Sequence, residues 1–135
     1  MNDRVGALRR YLRSRRNVAG TEPAADPGLT DVLRAEAEAQ LTRVELARAE
    51  LPDGAERAVR GIVRTLRQVL DRLDRTPEPE RLADAAEIVR ADLTASLDAF
   101  LLTPPAARSD ATAGELGTQL EMIRVRTDRL ASAGT

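Results

Sequence analysis

Apolar side chains recur at intervals of three and four residues along this chain. The clearest series is Val59, Ile62, Leu66, Val69 and Leu73. This spacing places every member on one side of an α-helix. A heptad-like stripe of this kind packs against other helices in bundles and coiled coils. The pattern therefore predicts an all-helical fold.

Three further stretches carry the same spacing and are separated by short breaks. The breaks contain proline, at residues 52–54, 76–79 and 104–105, and proline is not tolerated inside a helix. The first stretch is predicted as a helix from about Thr30 to Glu50. The apolar positions are Leu33, Ala37, Leu41, Val44, Ala47 and Leu51 in the first stretch, Leu82, Ala86, Val89, Leu93, Leu97 and Phe100 after the second break, and Leu116, Leu120, Ile123, Thr127 and Leu130 after the third.

Side chains near two predicted helix starts have the chemistry of caps. Thr30 or Asp31 is predicted to cap the first of these helices. Residues 112–115 read Thr-Ala-Gly-Glu, which matches the capping box, so the last helix is predicted to begin there. Gly61, inside a helical stretch, is predicted to permit close approach of another helix.

The short connections predict how the helices are arranged. A link of a few residues makes neighbouring helices run antiparallel, and each apolar stripe has to be covered. The predicted fold is an antiparallel up-and-down bundle of four long helices over residues 30–132, with a short basic N-terminal helix. A three-helix bundle with one helix displaced, or a dimer that shares its stripes, is an alternative.

The composition excludes most site chemistry. The chain has no Cys, His or Lys, and its aromatic residues are Tyr11 and Phe100. Disulfides, thiolate metal sites and histidine-based proton transfer are therefore excluded, and no Ser or Thr has a base to activate it. We expect no enzyme activity, no metal and no cofactor, and we interpret the many carboxylates as solvated helix surface.

The N-terminal segment, residues 1–20, is strongly basic. It holds six Arg against one Asp, a net charge of +5, which leaves −6 on the other residues because the whole chain carries −1. Residues 21–29 are predicted to be a linker. Candidate membrane- or partner-binding residues are Leu8, Arg9, Arg10, Leu12, Arg13, Arg15 and Arg16. An amphipathic arm of this kind either lies on an anionic membrane surface or docks Val5, Leu8 and Leu12 on the bundle.

A second basic series lies in the helix of the predicted bundle that also carries Val59, Ile62 and Leu66. Arg57, Arg60, Arg64 and Arg67 are spaced by three, four and three residues and form one side of a helix. Such a series contacts phosphates in some proteins, but nearby acids and the lack of aromatic residues favour a salt-bridged surface. Nucleic acid is therefore not an expected partner.

Two parts of the chain resemble a known group. Residues 8–20 (LRRYLRSRRNVAG) resemble the juxtamembrane start of uncharacterised actinobacterial membrane proteins. Residues 97–105 (LDAFLLTPP), followed by 119–123 (QLEMI), resemble the end of the cytosolic helical domain of those proteins. They are also similar to the XpaC-like proteins, which are named for 5-bromo-4-chloroindolyl phosphate hydrolysis. The resemblance implies a cytosolic helical domain at the inner face of a membrane. The membrane hairpin expected after Gly20 is missing, either naturally or by removal.

These observations predict a non-catalytic helical interaction module that contacts another protein or an anionic membrane surface. Structural self-association through the heptad stripes is one alternative, and phosphate-ester hydrolysis, as the family name suggests, is another. The predicted location is the cytoplasm, or the periphery of the inner membrane face. No small-molecule substrate is expected.

Overall fold

The computed structural model describes residues 28–133, which are helical throughout except for short connections and contain no strand. Helix α1 spans Leu29–Leu46, α2 spans Ala55–Arg75 and α4 spans Asp110–Ser132. Helix α3 covers residues 79–101 as an α-helical segment Pro79–Glu87, a π-helical segment Ile88–Leu93 and an α-helical segment Thr94–Leu101. The prediction of an all-helical body of four helices is confirmed.

Proline and glycine determine where the helices stop and restart. The α-helix of α1 ends at Leu46, before the predicted Glu50, because the chain tightens there into the 3-10 turn Arg48–Glu50 ahead of Pro52. Gly54 has a φ of 87°, a left-handed conformation that glycine adopts without strain, and it leads directly into α2. Helix α3 begins with Pro79 and ends before the paired prolines, as predicted.

Both predicted caps are wrong. The residue before α1 is Gly28, and no side chain caps that helix. The hydroxyl of Thr30 instead donates a hydrogen bond to Asp74 on α2. The cap of α4 is Ser109, whose Oγ accepts a hydrogen bond of 3.2 Å from the backbone N–H of Thr112. The predicted capping box therefore lies inside α4, because Ser109 provides an equivalent hydroxyl three residues earlier.

Helix α2 contributes eight buried residues to the core. It packs most extensively against α1 and α4, rather than against α3, which follows it in the chain. Val63 and Leu70 are buried in addition to the predicted stripe, which widens the apolar face so that two helices are accommodated. Gly61 lies away from these contacts, because a Cβ at that position would have no atom within 4 Å outside its own helical backbone. The predicted close approach at Gly61 is wrong.

Side-chain bonds identify which residues lie opposite one another. Between α1 and α2, the bonded pairs are Arg34 with Asp71, Glu38 with Arg67 and Glu45 with Arg60. Between α1 and α3, they are Glu36 with Arg90, Gln40 with Thr94 and Arg43 with Asp98. Arg126 of α4 pairs with Glu87 of α3, and Arg72 of α2 donates to the carbonyl of Ala131. These pairs tie all four helices together at the surface.

The π-helical segment lies where α3 meets α1. The Thr94 hydroxyl is buried and donates a hydrogen bond of 2.9 Å to the carbonyl of Val89, five residues earlier. The same hydroxyl accepts a hydrogen bond of 3.0 Å from Gln40 Nε2. Within the described part of the chain, Gln40 Oε1 is buried and has no hydrogen-bond partner. This polar contact lies beside an interior built mainly from aliphatic side chains.

Candidate interaction surfaces

The residues of the basic arm lie outside the described residues. This applies to Leu8, Arg9, Arg10, Leu12, Arg13, Arg15 and Arg16. The prediction that they bind a membrane or a partner stays a prediction. The surfaces of residues 28–133 can be assessed directly.

The second predicted basic face divides into two pairs of residues. Arg60 lies 3.0 Å from Glu45 on α1 and 2.6 Å from Glu56 on its own helix, and Arg67 pairs with Glu38. Arg57 and Arg64 are exposed, and no carboxylate of residues 28–133 lies within ion-pair distance of either. The salt-bridged interpretation therefore holds for the pair on the α1 side of α2 and not for the pair that faces outward.

Arg75 continues the outward pair along α2. It follows Arg64 by eleven residues, as Arg64 follows Arg57 by seven, and both intervals return to nearly the same angle around an α-helix. Arg75 is exposed and likewise has no ion-pair partner in the described range. We name Arg57, Arg64 and Arg75 the outer arginine row. It extends about 27 Å, at about 1.5 Å per residue.

Arg34 forms a cluster of ion pairs between α1 and α2. It lies 2.7 Å from Asp31 and 2.8 Å from Asp71, and it also contacts Asp74. Burial raises the pKa of Asp74, but the hydrogen bonds from Thr30 and Arg34 together outweigh it, so the pKa lies below its ordinary value. The cluster joins two helices and leaves the guanidinium group fully engaged, so it is a structural contact rather than a ligand site.

A second cluster lies where α3 meets α4. Arg126 lies 3.0 Å from Glu87 and 3.9 Å from Asp84, and it also bonds to Asp92. Beside it is an open depression of about 270 Å³, lined by Asp84, Ile88, Arg126, Arg129, Leu130 and Ala133. Carboxylates neutralise Arg126, and the open shape of the depression provides no enclosure for a ligand.

One strip on the outward side of α1 consists of uncharged residues and is bordered by the charged residues Asp31, Glu36 and Arg43. Ala35, Ala39, Thr42 and Leu46 are exposed and Val32 is half-buried, and these residues repeat at intervals of three, four, three and four. Leu46 is 85% exposed, the most of any large apolar side chain among the described residues. The opposite side of the same helix, with Leu33, Ala37, Leu41 and Val44, lies in the core. Helix α1 therefore has two apolar faces, one buried and one open. We name the open one the outer α1 face.

Sequence reasoning did not identify the outer α1 face. The predicted stripe of α1 accounts for its packing in the core, so a second repeat was not needed to explain the fold. The signal was nevertheless present in the spacing of Val32, Ala35, Ala39 and Leu46, which is as regular as that of the buried stripe. On an ordinary surface helix, charged and polar residues fill the outward side, whereas on α1 the charged residues only border this strip.

Other kinds of site find little support in the described residues. No group of three or more carboxylates there is arranged to hold a metal ion. No helix within residues 28–133 is both long enough and apolar enough to cross a membrane. Comparisons with known protein families, with curated proteins and with solved structures find no match to this chain. The resemblance to XpaC-like proteins stays a prediction.

Proposed function

We propose that this chain is a non-catalytic helical interaction module and that the outer α1 face is its protein-contact surface. The observation that carries the proposal is an exposed heptad repeat without charge, ending in Leu46, on a helix whose other side fills the core. Exposed apolar surface of this regularity is typical of helix-to-helix contacts between proteins.

The proposal includes the arrangement of the helices, an antiparallel up-and-down bundle. The pairs between α1 and α2 support it, because 34 with 71, 38 with 67 and 45 with 60 run in opposite order along the two helices. The pairs between α1 and α3, 36 with 90, 40 with 94 and 43 with 98, run in the same order. Both orders are expected when α1 runs antiparallel to α2 and parallel to α3.

The chemistry of the surface supports a role without catalysis. Arg34, Arg60 and Arg126 each engage at least two carboxylates. Side chains held in this way stiffen the contacts between helices and are not positioned as proton donors or acceptors toward a substrate. Phosphatase activity is therefore absent in this proposal, which purified protein and a chromogenic phosphate ester would test.

Site-directed photocrosslinking in cells that produce the full chain tests the contact surface. A photoreactive phenylalanine analogue replaces Ala39 on the outer α1 face or, as a matched control, the exposed Ala95 on α3. We expect adducts from position 39 that are absent from position 95. Leu46→Glu should remove them, whereas Leu102→Glu, at another exposed leucine, should not. Equal adducts from both positions would contradict the proposal.

A second candidate function is binding to an anionic membrane surface. The outer arginine row favours it, because three exposed guanidinium groups without ion-pair partners in the described range are available to lipid phosphates. The basic arm is predicted to add to this attraction. For this function, the basic arm and the outer arginine row have to contact the same membrane surface.

Cosedimentation with vesicles tests the membrane candidate. Binding should occur with phosphatidylserine vesicles, not with phosphatidylcholine alone, and should fall as salt is raised. Changing Arg9, Arg10, Arg13, Arg15 and Arg16 to Ala should abolish it, and changing Arg57, Arg64 and Arg75 to Ala should weaken it. Changing the ion-paired Arg34 and Arg60 to Ala should lower the free energy of unfolding rather than weaken vesicle binding. Binding that does not depend on salt would contradict the membrane candidate.

A further inference from the structure

We infer that the partner of the outer α1 face is a second copy of this chain, and that two α1 helices pack antiparallel about a twofold axis through Ala39. This inference rests on the proposed function, since it names the partner of the same surface.

The residues of the face are arranged symmetrically about Ala39. Val32 and Leu46 each lie seven residues from it, while Ala35 and Thr42 lie four and three residues away. In an antiparallel pair centred on Ala39, Val32 of one copy therefore meets Leu46 of the other, and Ala35 meets Thr42. A twofold interface needs this kind of self-complementarity, in which one patch matches its own reverse.

Side-chain size also follows the symmetry. The centre of the face has Ala35 and Ala39, both exposed, and the two ends have Val32 and Leu46. Small residues at the centre allow two helices to approach closely, and the larger side chains then extend over the ends of the second helix. The contact would cover Leu46, which is 85% exposed in the single chain.

The charges on the α3 edge of the face are complementary under the same operation. Glu36 and Arg43, which pair with Arg90 and Asp98 of α3, lie three residues before and four residues after Ala39. The antiparallel pair therefore adds Arg43 of one copy beside Glu36 of the other, a contact between opposite charges. On the opposite edge, Glu38 and Glu45 already pair with arginines of α2. The second copy therefore meets no unpaired carboxylate of like charge there.

One helix pair forms a small interface, so the dimer should be weak and depend on concentration. Sedimentation velocity on the full chain should show a shift from monomer to dimer between about 10 μM and 0.5 mM, the range expected for a contact at the lower end of interface sizes. Leu46→Glu should keep the protein monomeric at every concentration, whereas the control Leu102→Glu should dimerise as the wild-type protein does. A wild-type protein that stays monomeric throughout this range would overturn the inference.

Cysteine crosslinking locates the contact, because the chain has no cysteine of its own. Under mild oxidation, Ala39→Cys should form a disulfide dimer at least about tenfold faster than Ala95→Cys, because only residues near the axis come within bonding distance. A mixture of Ala35→Cys and Thr42→Cys proteins should crosslink mainly with each other. Preferential crosslinking of each variant with itself would overturn the antiparallel arrangement.

The outcomes separate this inference from the proposed function. Photoadducts from position 39 that contain a different protein, together with a monomeric wild-type chain, would support the module and overturn the dimer. If the wild-type chain is monomeric and the variant with Leu8→Glu and Leu12→Glu dimerises, the basic arm covers the face in the wild-type chain. This result would also overturn the dimer. Absence of any contact at position 39 would contradict both.

Discussion

The guanidinium group of Arg108 lies 4.8 Å from the centre of the Phe100 ring, and it closes the C-terminal end of helix α3. Its nitrogens donate hydrogen bonds to the carbonyls of Phe100, Leu101 and Thr103, and one lies 3.1 Å from Glu50. The last carbonyls of a helix have no partner within it, and a planar cation with several donors satisfies them well. Arg108 therefore fastens the end of α3 to two connections, the one that leads to α4 and the one between α1 and α2.

Loss of this cap should destabilise the fold. We expect Arg108→Ala to lower the free energy of unfolding by about 2–3 kcal/mol, because several hydrogen bonds and a cation–π contact disappear together. Arg108→Lys should lose more than half as much, since a lysine keeps the charge but not the planar fork. Arg57→Ala is the matched control and should change stability by less than about 0.5 kcal/mol. Urea unfolding of the three variants decides the matter, and equal stability of Arg108→Ala and Arg57→Ala would contradict the assignment.

Gly61 should be a site where alanine stabilises the protein. A Cβ there meets nothing within 4 Å outside its own helix, so Gly61→Ala should raise stability by about 0.5–1 kcal/mol through higher helix propensity and a less flexible unfolded chain. Gly54→Ala should do the opposite, because its φ of 87° is unfavourable for alanine. Thermal unfolding of both variants measures the effect. A destabilising Gly61→Ala would mean that another helix contacts this position.

Gln40 and Thr94 form a hydrogen bond beside the π-helical segment, and substituting Thr94 should lower the free energy of unfolding more than substituting Gln40. Thr94→Ala should cost about 1–2 kcal/mol, because the Val89 carbonyl loses its buried donor. Gln40→Leu should be neutral or stabilising within about 1 kcal/mol, since it removes a buried oxygen that has no partner in the described part of the chain. Denaturant unfolding compares them, and a larger loss for Gln40→Leu than for Thr94→Ala would contradict this account.

The free energy of unfolding should fall at acid pH and stay constant near neutral pH. Glu56 bonds to Arg48 and Arg60, and Glu121 bonds to Arg124. These bonds hold the pKa values of both carboxyls below their ordinary values, as Asp74 is held by Thr30 and Arg34. A lowered folded-state pKa contributes stability that is complete above the unfolded value, about 3.9 for Asp and 4.3 for Glu, and that is lost as pH falls through the folded value.

Thermal unfolding across pH tests this dependence. The chain has neither His nor Cys, so no side chain has an ordinary pKa between about 5 and 8, and the melting temperature should be level from about pH 6 to 8. It should decline below about pH 4, where the paired carboxylates are protonated. Asp74→Asn should melt lower at neutral pH and decline less in acid. A transition centred near pH 6.5 would be inconsistent with this composition.

Much of the fold followed from the sequence because apolar spacing and proline breaks are local signals. The stripe from Val59 to Leu73 is buried throughout. The π-helical segment was not predictable, since no proline or glycine marks it and it depends on Thr94 meeting both Val89 and Gln40, a residue 54 positions earlier. The packing of α2 against α4, rather than against α3, also depends on contacts that adjacent residues do not reveal.

The surfaces were less predictable than the helices. The spacing of Arg57, Arg60, Arg64 and Arg67 suggested a single basic face, but whether each guanidinium is neutralised depends on the carboxylates that α1 brings beside it. The outer α1 face was overlooked because an alanine repeat has the same appearance in a buried stripe and in an open one. Burial, which only the tertiary structure provides, distinguishes the two.

The pairing of α2 with α4 has a consequence for how the protein is made. The ribosome produces α2 well before α4, and the connecting residues include the whole of α3. Val69 is buried, lies three residues before Arg72 and shares its side of α2, and Arg72 donates to Ala131 of α4, so Val69 lacks its α4 cover until that segment has left the exit tunnel. Nascent chains halted after α3 should bind chaperones that recognise aliphatic side chains, and release should coincide with the synthesis of α4.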